Sequence, residues 1–82
     1  MQRRRSAVPM VELFGTSWCE FTSEMREWLE VRGVDFVEYD VERDRVARAR
    51  LTTIASDRTV PVLVEDGKVV QIGWHGRGCT VS

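Results

Sequence analysis

The chain has 82 residues, of which 43% are hydrophobic and 30% are charged, and its formal net charge is −1. A chain of this length forms one small domain, and a nearly neutral charge does not indicate a nucleic-acid partner. No apolar run approaches the ~20 residues of a membrane-spanning helix, which argues against a membrane protein. The basic N-terminus lacks the apolar segment of a secretory signal, so we expect a cytoplasmic protein, in which a disulfide is transient and catalytic.

The predicted elements follow the order β-α-β-α-β-β. Residues 1–7 are expected to form a flexible basic tail, and residues 8–82 the folded domain. A buried strand is predicted over residues 11–14, because this segment is mostly apolar and a glycine follows it. Residues 20–32 show helical spacing, residues 36–40 are typical of a second strand, and a second helix follows. The apolar positions of the first helix are Phe21, Met25, Trp28 and Leu29, and those of the second, which starts at Asp44, are Val46, Ala47, Leu51 and Ile54.

The segment VPVLVEDGKVVQI carries the clearest local signal in the chain. Two runs rich in β-branched residues flank Asp66-Gly67, a dipeptide typical of a type I′ hairpin turn. The final segment, residues 73–82, holds three glycines and shows no helical period. We therefore predict two paired strands followed by a glycine-rich tail.

Cys19 lies where the first predicted helix begins. Unpaired N–H groups and the positive end of the helix dipole stabilise a thiolate at this position, and the thiolate is the nucleophilic form of cysteine. Thr22, one turn further on, can donate a hydrogen bond to the thiolate, whereas the carboxylate of Glu20 disfavours its charge. Thr22 cannot form a disulfide, so the motif holds a single cysteine. The alternative is that Cys19 only packs as a small hydrophobic residue.

These features together resemble the glutaredoxin branch of the thioredoxin-like fold. A first strand runs into TSWCEFT, a helix follows, Thr59-Val60-Pro61 opens the third strand, and a hairpin leads to Gly73. The resemblance covers residues 10–73 and is strongest to short glutaredoxin-like proteins whose relatives can carry selenocysteine at the attacking position. It implies an α/β fold with a four-stranded mixed sheet, although the final helix of the family has no counterpart in this sequence.

The same resemblance implies a substrate site around Cys19. In this fold the peptide bond before Pro61 is cis, and the backbone of Val60 then lies beside Cys19. An extended peptide or glutathione can pair with that backbone as an added strand, with Thr59 flanking it. The alternative is an ordinary proline at the start of a strand.

Cys79 is the second candidate redox residue. The implied topology returns the chain to the active-site edge at Gly73, and the roughly six residues that follow span up to ~20 Å. The glycine-rich tail can therefore bring Cys79 to Cys19, where it would resolve a mixed disulfide that Thr22 cannot. The alternative is an incidental thiol in a frayed tail.

Trp18 and Trp74 are expected to flank the same groove, where aromatic faces can hold a substrate backbone or a reductase. Gly73, at the end of the last strand, is assigned to this substrate site as well. His75 is the only histidine of the chain and is expected to be a solvated loop residue. No metal site is predicted, because zinc usually needs four ligands.

Two departures from the glutaredoxin pattern concern the reductant. Many family members hold a glutathione carboxylate with a lysine at the position of Thr16. An acidic pair usually follows the glycines after their fourth strand, and Trp74-His75 replaces that pair here. We therefore expect no tightly bound cofactor and only a weak site for glutathione as a co-substrate. The T-S-W-C and W-H-G stretches are more similar to redoxins reduced by a thioredoxin-reductase-type flavoenzyme. The missing final helix leaves sheet surface exposed, which predicts a monomer or a weak homodimer.

The predicted function is that of a glutaredoxin-like thiol–disulfide oxidoreductase, active in electron transport and cell redox homeostasis. Cys19 attacks a disulfide or a glutathionylated protein, and Cys79 or an external thiol resolves the mixed disulfide. One alternative is an iron–sulfur carrier in which Cys19 of two chains holds a cluster together with glutathione. Another is a domain that keeps the fold for partner binding without redox turnover.

Overall fold

The computed structural model describes residues 10–55 and 58–81, and the predicted basic tail, residues 1–7, lies outside the described residues. The strands form a four-stranded sheet of order β2-β1-β4-β5, in which β2 is parallel to β1 and the other neighbours are antiparallel. The predicted mixed sheet is therefore confirmed. No helix within the described residues is long and apolar enough to cross a membrane. The elements are β1 (Val11–Gly15), α1 (Glu20–Val31), β2 (Val37–Asp40), α2 (Arg45–Ile54), β3 (Thr59–Val60), β4 (Val62–Glu65), β5 (Lys68–Ile72) and β6 (Cys79–Thr80).

The alternation of side chains along the strands divides the core between the two faces of the sheet. One face packs against α2 and the other against α1. The α1-side core includes Leu13, Met25, Leu29 and Leu63. The α2-side core includes Phe14, Ala47, Leu51, Val62 and Val64, together with Cys19, Val60 and Val81. Because the last three residues belong to the same cluster, the α2-side core continues directly into the candidate site.

Local sequence signals explain how α2 begins and how α1 ends. Asp44 caps α2, because its Oδ1 accepts a hydrogen bond from a first-turn N–H at 3.0 Å. α1 ends with two hydrogen bonds, from Gly33 N–H to Glu30 O at 3.1 Å and from Val34 N–H to Leu29 O at 3.0 Å. Gly33 has φ +71°, the left-handed conformation that this Schellman arrangement requires and that glycine adopts most readily.

The predicted apolar face of α2 is wrong at one position. Val46 is 72% exposed, whereas Ala47 and Leu51 are 2% and 5% exposed. The buried stripe of this helix runs through Ala47 and, one turn later, Leu51. Val46 lies instead on the stripe of Arg50, four residues further on, because residues four apart share a helix face.

The α1 side of the sheet is only partly covered. Trp28 was predicted to lie in the core but is 41% exposed, and Val70 of β5 is 53% exposed. A groove of about 200 Å³ beside them is lined mostly by apolar side chains, among them Val11, Leu29, Val34 and Leu63. The resemblance predicted exposed sheet surface of this kind. The weak dimerisation that was expected through this exposed sheet surface stays a prediction.

Two type I′ turns shape the second half of the chain. Asp66-Gly67 joins β4 to β5 with φ values of +53° and +81°, which confirms the predicted hairpin. His75-Gly76 forms a second turn with φ values of +52° and +76°. Around it, Trp74 and Arg77 exchange backbone hydrogen bonds of 2.7 and 2.9 Å. This second turn was not predicted, and it reverses the tail.

After the second turn the tail runs back as β6, which pairs antiparallel with β3 in a separate two-stranded sheet. The register places Thr80 opposite Thr59 and Cys79 opposite Val60. The predicted glycine-rich tail is therefore ordered over residues 73–81, and its strand lies against the segment that precedes Pro61.

A buried carboxylate in β1 is held by α2 and β2. Glu12 is 6% exposed, and Arg50 donates to both of its oxygens at 2.9 and 3.0 Å. Tyr39 donates to Glu12 Oε2 at 3.1 Å. The hydrogen bond from Arg50 is the main cause that lowers the pKa of Glu12, although burial opposes this shift.

The Glu12–Arg50 pair should make stability depend on pH. A lowered pKa in the folded protein means that the pair stabilises the fold above the ordinary glutamate pKa of 4.5, and that this contribution is lost as the pH falls through the lowered value. Replacing Arg50→Gln should therefore reduce the free energy of unfolding most at neutral pH and least in acid, measured by urea unfolding. Arg45→Gln, at an exposed position on the same helix, is the matched control. A loss that is the same at neutral pH and well below pH 4.5 would contradict the assignment.

Candidate active site

Cys19 is the N-cap residue of α1. Its backbone is extended, with φ −84° and ψ 118°, and its carbonyl accepts a hydrogen bond from Ser23 N–H at 3.1 Å. The residue is 1% exposed. The predicted position of Cys19 at a helix start is thus confirmed, and at such a start the first N–H groups have no partner within the helix.

A disulfide joins Cys19 to Cys79, with the two Cα atoms 6.0 Å apart. The residues are separated by 60 positions in sequence, and β6 brings them together by placing Cys79 opposite Val60. Cys19 is buried, whereas Cys79 is partly exposed. The tail therefore reaches Cys19, and the catalytic roles of the two cysteines stay a proposal.

The strand edge beside Cys19 is the one that the resemblance implied. The peptide bond between Val60 and Pro61 is cis, and Val60 O lies 4.0 Å from Cys19 Sγ. Because a disulfide sulfur carries no proton, this approach is a contact and not a hydrogen bond. Thr59 and Val60 are the edge that was predicted to receive a substrate strand, and β6 of the same chain occupies it.

Gly73 connects β5 to this edge. Its N–H donates to Pro61 O at 2.7 Å, and its φ is +83°. A Cβ at this position would lie 2.8 Å from Arg77 O, so no other residue fits without displacing the backbone. Gly73 was predicted to bind substrate, and in the structure its contacts position Pro61 and the second turn. A direct contact with substrate stays a prediction.

β6 approaches β3 too closely for a side chain at the residue before Cys79. A Cβ on Gly78 would lie 2.7 Å from Val60 O and would overlap the methyl group of Thr59. On the other side of Cys79, Thr80 is exposed. The strand is therefore sterically restricted before the cysteine and open directly after it.

Thr22 packs against Gly15, the last residue of β1. It is 0% exposed, and its hydroxyl has no hydrogen-bond partner among residues 10–55 and 58–81. A Cβ on Gly15 would lie 2.6 Å from Thr22 Oγ1, so glycine is needed for this packing. Thr16, where many family members carry a lysine, is 2% exposed, and its hydroxyl likewise finds no partner in the described part of the chain.

The two tryptophans assigned to the groove have different environments. Trp18 is 53% exposed, and its indole N–H donates to Glu42 Oε1 at 2.7 Å. Trp74 is half-buried and packs edge-on against Trp28 and His75, with centroid distances of 5.8 and 4.7 Å. That both contact substrate stays a prediction.

The described residues contain no group of three His, Cys, Asp or Glu side chains that could hold a metal ion. His75 is exposed, as expected of a loop residue, and it occupies the first position of the second type I′ turn.

Three residues of the tail around Cys79 were missed by sequence reasoning. Gly78 contacts β3, and Thr80 pairs with Thr59 of β3. Val81 is 4% exposed and donates its N–H to Arg58 O at 2.9 Å. Two signals could have identified them. His75-Gly76 fits a type I′ turn, and Thr80-Val81 is a short β-branched run that could form a returning strand.

Comparison with known proteins supports the same fold and family. Residues 11–70 match the Glutaredoxin family model. The chain is 26% identical over 66 residues to a curated protein of Clostridium pasteurianum, the uncharacterized glutaredoxin-like 8.6 kDa protein in rubredoxin operon, and the match covers 80% of this chain and 87% of that protein.

Two solved structures show the thioredoxin-like fold. The thioredoxin-like protein BC3987 superposes with a TM-score of 0.68 and 32% identity, covering 73% of this chain and 82% of that one. A buckwheat glutaredoxin, solved in complex with glutathione, superposes with a TM-score of 0.66 and 17% identity. The match covers 87% of this chain and 69% of that one. The family match spans most of the sequence, including both the helix start at Cys19 and the cis proline. The chain therefore belongs to the glutaredoxin family of thiol redox proteins.

Proposed function

We propose that this protein is a thiol–disulfide oxidoreductase in which Cys19 is the nucleophile and Cys79 is the resolving thiol. The observation that carries the proposal is the disulfide between the N-cap of α1 and β6, formed beside the cis proline. A site of this kind holds an attacking sulfur, a strand edge for the substrate and a second sulfur within bonding distance.

The reaction begins with the reduced protein. The Cys19 thiolate attacks one sulfur of a substrate disulfide, a bond forms between Cys19 and that sulfur, and the other substrate sulfur leaves as a thiolate. The Cys79 thiolate then attacks Cys19, which releases the second substrate thiolate and forms the Cys19–Cys79 disulfide. Two electrons pass from the protein to the substrate, whose thiolates take up protons from water.

Stabilisation of the Cys19 thiolate is attributed to α1 and to Thr22. The unpaired N–H groups at the helix start and the dipole favour the charge, whereas burial in the α2-side core opposes it. The buried hydroxyl of Thr22 lacks a partner among the described residues while Cys19 is in the disulfide. An unsatisfied buried hydroxyl costs about 1–3 kcal/mol, and a thiolate one turn away gives it an acceptor.

Thr22→Val should therefore slow the reaction of Cys19. The change keeps the shape of the side chain and removes the donor, and a hydrogen bond to a charged group contributes roughly 1.5–3 kcal/mol, so alkylation at neutral pH should slow by about tenfold. The rate is measured with iodoacetamide on reduced Cys79→Ser protein, in which Cys19 is the single thiol. Thr16→Val, which removes another buried and unpartnered hydroxyl, is the matched control. Equal rates for Thr22→Val and its parent would contradict the role.

Glutathione is proposed as a co-substrate and not as a bound cofactor. The family fold accommodates it in the buckwheat protein, which was solved as a glutathione complex. Here Thr16 replaces a lysine, and Trp74-His75 follows Gly73 in place of an acidic pair, so the charged groups that hold glutathione are missing at both positions. A thioredoxin-reductase-type flavoenzyme is therefore the proposed main reductant, and disulfide or glutathionylated proteins are the proposed substrates.

Two coupled assays test this function. Reduction of a protein disulfide is followed through NADPH consumption, once with thioredoxin reductase and once with glutathione and glutathione reductase. Turnover in the first assay and slower turnover in the second is the expected result. Cys19→Ser must abolish both. A wild-type protein without turnover in either assay would show that the oxidoreductase assignment is wrong.

The cytoplasm is part of the proposal, because a protein with one redox-active cysteine pair suits a compartment that can reduce it. The iron–sulfur carrier is not favoured, since the sulfur of Cys19 that such a cluster would use is bonded to Cys79.

A further inference from the structure

The residue before the reactive cysteine of a substrate is restricted by β3. We propose that the site accepts at this position only a residue whose carbon next to the peptide carbonyl is an unsubstituted methylene. Glycine provides such a carbon in a protein, and the γ-linked glutamate provides it in glutathione. This inference rests on the proposed function and specifies the substrate class of the same site.

β6 provides the template for the proposal. It is bonded to Cys19 and pairs antiparallel with Thr59–Val60. A substrate in mixed disulfide with Cys19 needs the same two features, a sulfur bonded to Cys19 and a backbone paired with this edge. The oxidised protein is therefore a copy of the mixed disulfide, with the chain's own tail in the place of the substrate.

The glycine before Cys79 is required by contacts and not by its backbone conformation. A Cβ on Gly78 would lie 2.7 Å from Val60 O and would overlap the Thr59 methyl group, and Gly78 is not among the residues with positive φ. Val60 is 0% exposed, so the core that surrounds it holds its carbonyl in place. A side chain at this point must displace the paired strand.

A substrate bound in this register places its own preceding residue where Gly78 lies. An alanine there would bring its Cβ against Val60 O and Thr59, whereas glycine has none. In glutathione, the carbon next to the carbonyl that precedes the cysteine is a side-chain methylene of glutamate, and the branched carbon lies two bonds further away. The residue directly after the cysteine is not restricted, because Thr80 is exposed.

The test uses reduced Cys79→Ser protein and activated mixed disulfides of end-blocked peptides. Gly-Cys-Thr-Val, Ala-Cys-Thr-Val and Gly-Cys-Ala-Val each carry thionitrobenzoate on the cysteine, and glutathione carrying the same group is the fourth reagent. The Cys19 thiolate attacks the peptide sulfur, the protein–peptide disulfide forms, and thionitrobenzoate leaves with the electron pair. Its release gives the rate.

We expect the alanine peptide to react at least tenfold more slowly than Gly-Cys-Thr-Val, and the other two reagents to react within about threefold of it. Equal rates for the glycine and alanine peptides would overturn the inference and leave the oxidoreductase proposal standing. A glutathione reagent that reacts as slowly as the alanine peptide would overturn the proposed requirement for an unsubstituted methylene before the cysteine. No reaction of Cys19 with any of the four would overturn both proposals.

The same restriction can be tested within the chain. Gly78→Ala should lower the ratio of disulfide to dithiol at least tenfold in a glutathione redox buffer, and Thr80→Ala should leave it within about twofold. Far-ultraviolet circular dichroism of both reduced variants checks that they are folded. If the two substitutions have the same effect on the ratio, the restriction before the cysteine is wrong.

Discussion

Cys79→Ser protein is expected to stop at the mixed disulfide after one attack on substrate. In the wild type, the pairing of β6 with β3 places Cys79 opposite Val60 and in bonding distance of Cys19, so resolution is intramolecular. A tethered thiol acts at an effective concentration far above that of a free thiol. With thioredoxin reductase as the only reductant, turnover should fall by roughly a hundredfold or more.

Mass spectrometry after acid quenching should find the substrate bonded to Cys19 in Cys79→Ser, and only the intramolecular disulfide in the wild type. Cys19→Ser should bind no substrate covalently, which separates the role of the attacking sulfur from that of Cys79. Thr80→Ala, next to Cys79 and exposed, should retain turnover and serves as the matched control for the substitution in β6. Turnover of Cys79→Ser at the wild-type rate would show that an external thiol resolves the mixed disulfide.

The parts of the fold that sequence reasoning predicted well depend on local chemistry. Asp66-Gly67 can adopt the positive φ values of a type I′ turn, so the hairpin could be identified from the dipeptide alone. Asp44 caps α2 through its own side chain, and Gly33 ends α1 through its own conformation. In each case the residue that determines the feature lies within the feature.

The cis bond before Pro61 was predicted for a different reason, because only the family resemblance distinguished it from an ordinary proline. The position of Cys19 at a helix start followed from helical spacing, and its pairing with Cys79 followed from the implied topology. The resemblance therefore supplied the long-range relations that single-residue propensities do not contain.

The features that were missed depend on contacts between distant segments. β6 has two residues, too few for any periodic pattern, and it forms by pairing with β3 about twenty positions earlier in the sequence. His75-Gly76 turns the chain, but the residues around it do not alternate between apolar and polar. Trp28 has the spacing of a core residue and remains half-exposed, because no described element covers it fully. Tertiary packing decided each of these outcomes.

The oxidised protein should unfold at a markedly higher temperature than the reduced protein. The disulfide closes a ring over a sequence separation of 60 residues. If it acts by restricting the unfolded chain, a ring of this length stabilises the fold by ~4 kcal/mol. A domain of 60–100 residues gains ~4–8 °C per kcal/mol. Ordering the tail against β3 offsets part of this gain, so a rise of about 10–20 °C is expected.

The comparison is made by differential scanning calorimetry with and without a reductant, and Cys79→Ser provides the control. This variant cannot close the ring, so its melting temperature should not respond to the reductant and should match that of reduced wild type. Equal melting temperatures for oxidised and reduced wild type would show that the disulfide does not stabilise the fold by restricting the unfolded chain. The proposed cycle also requires β6 to leave the Thr59–Val60 edge of the reduced protein before a substrate strand can occupy that edge. A large difference in melting temperature therefore supports the stabilising role of the disulfide, and release of the tail on reduction makes that difference smaller, because only the oxidised protein then carries the entropy cost of ordering the tail.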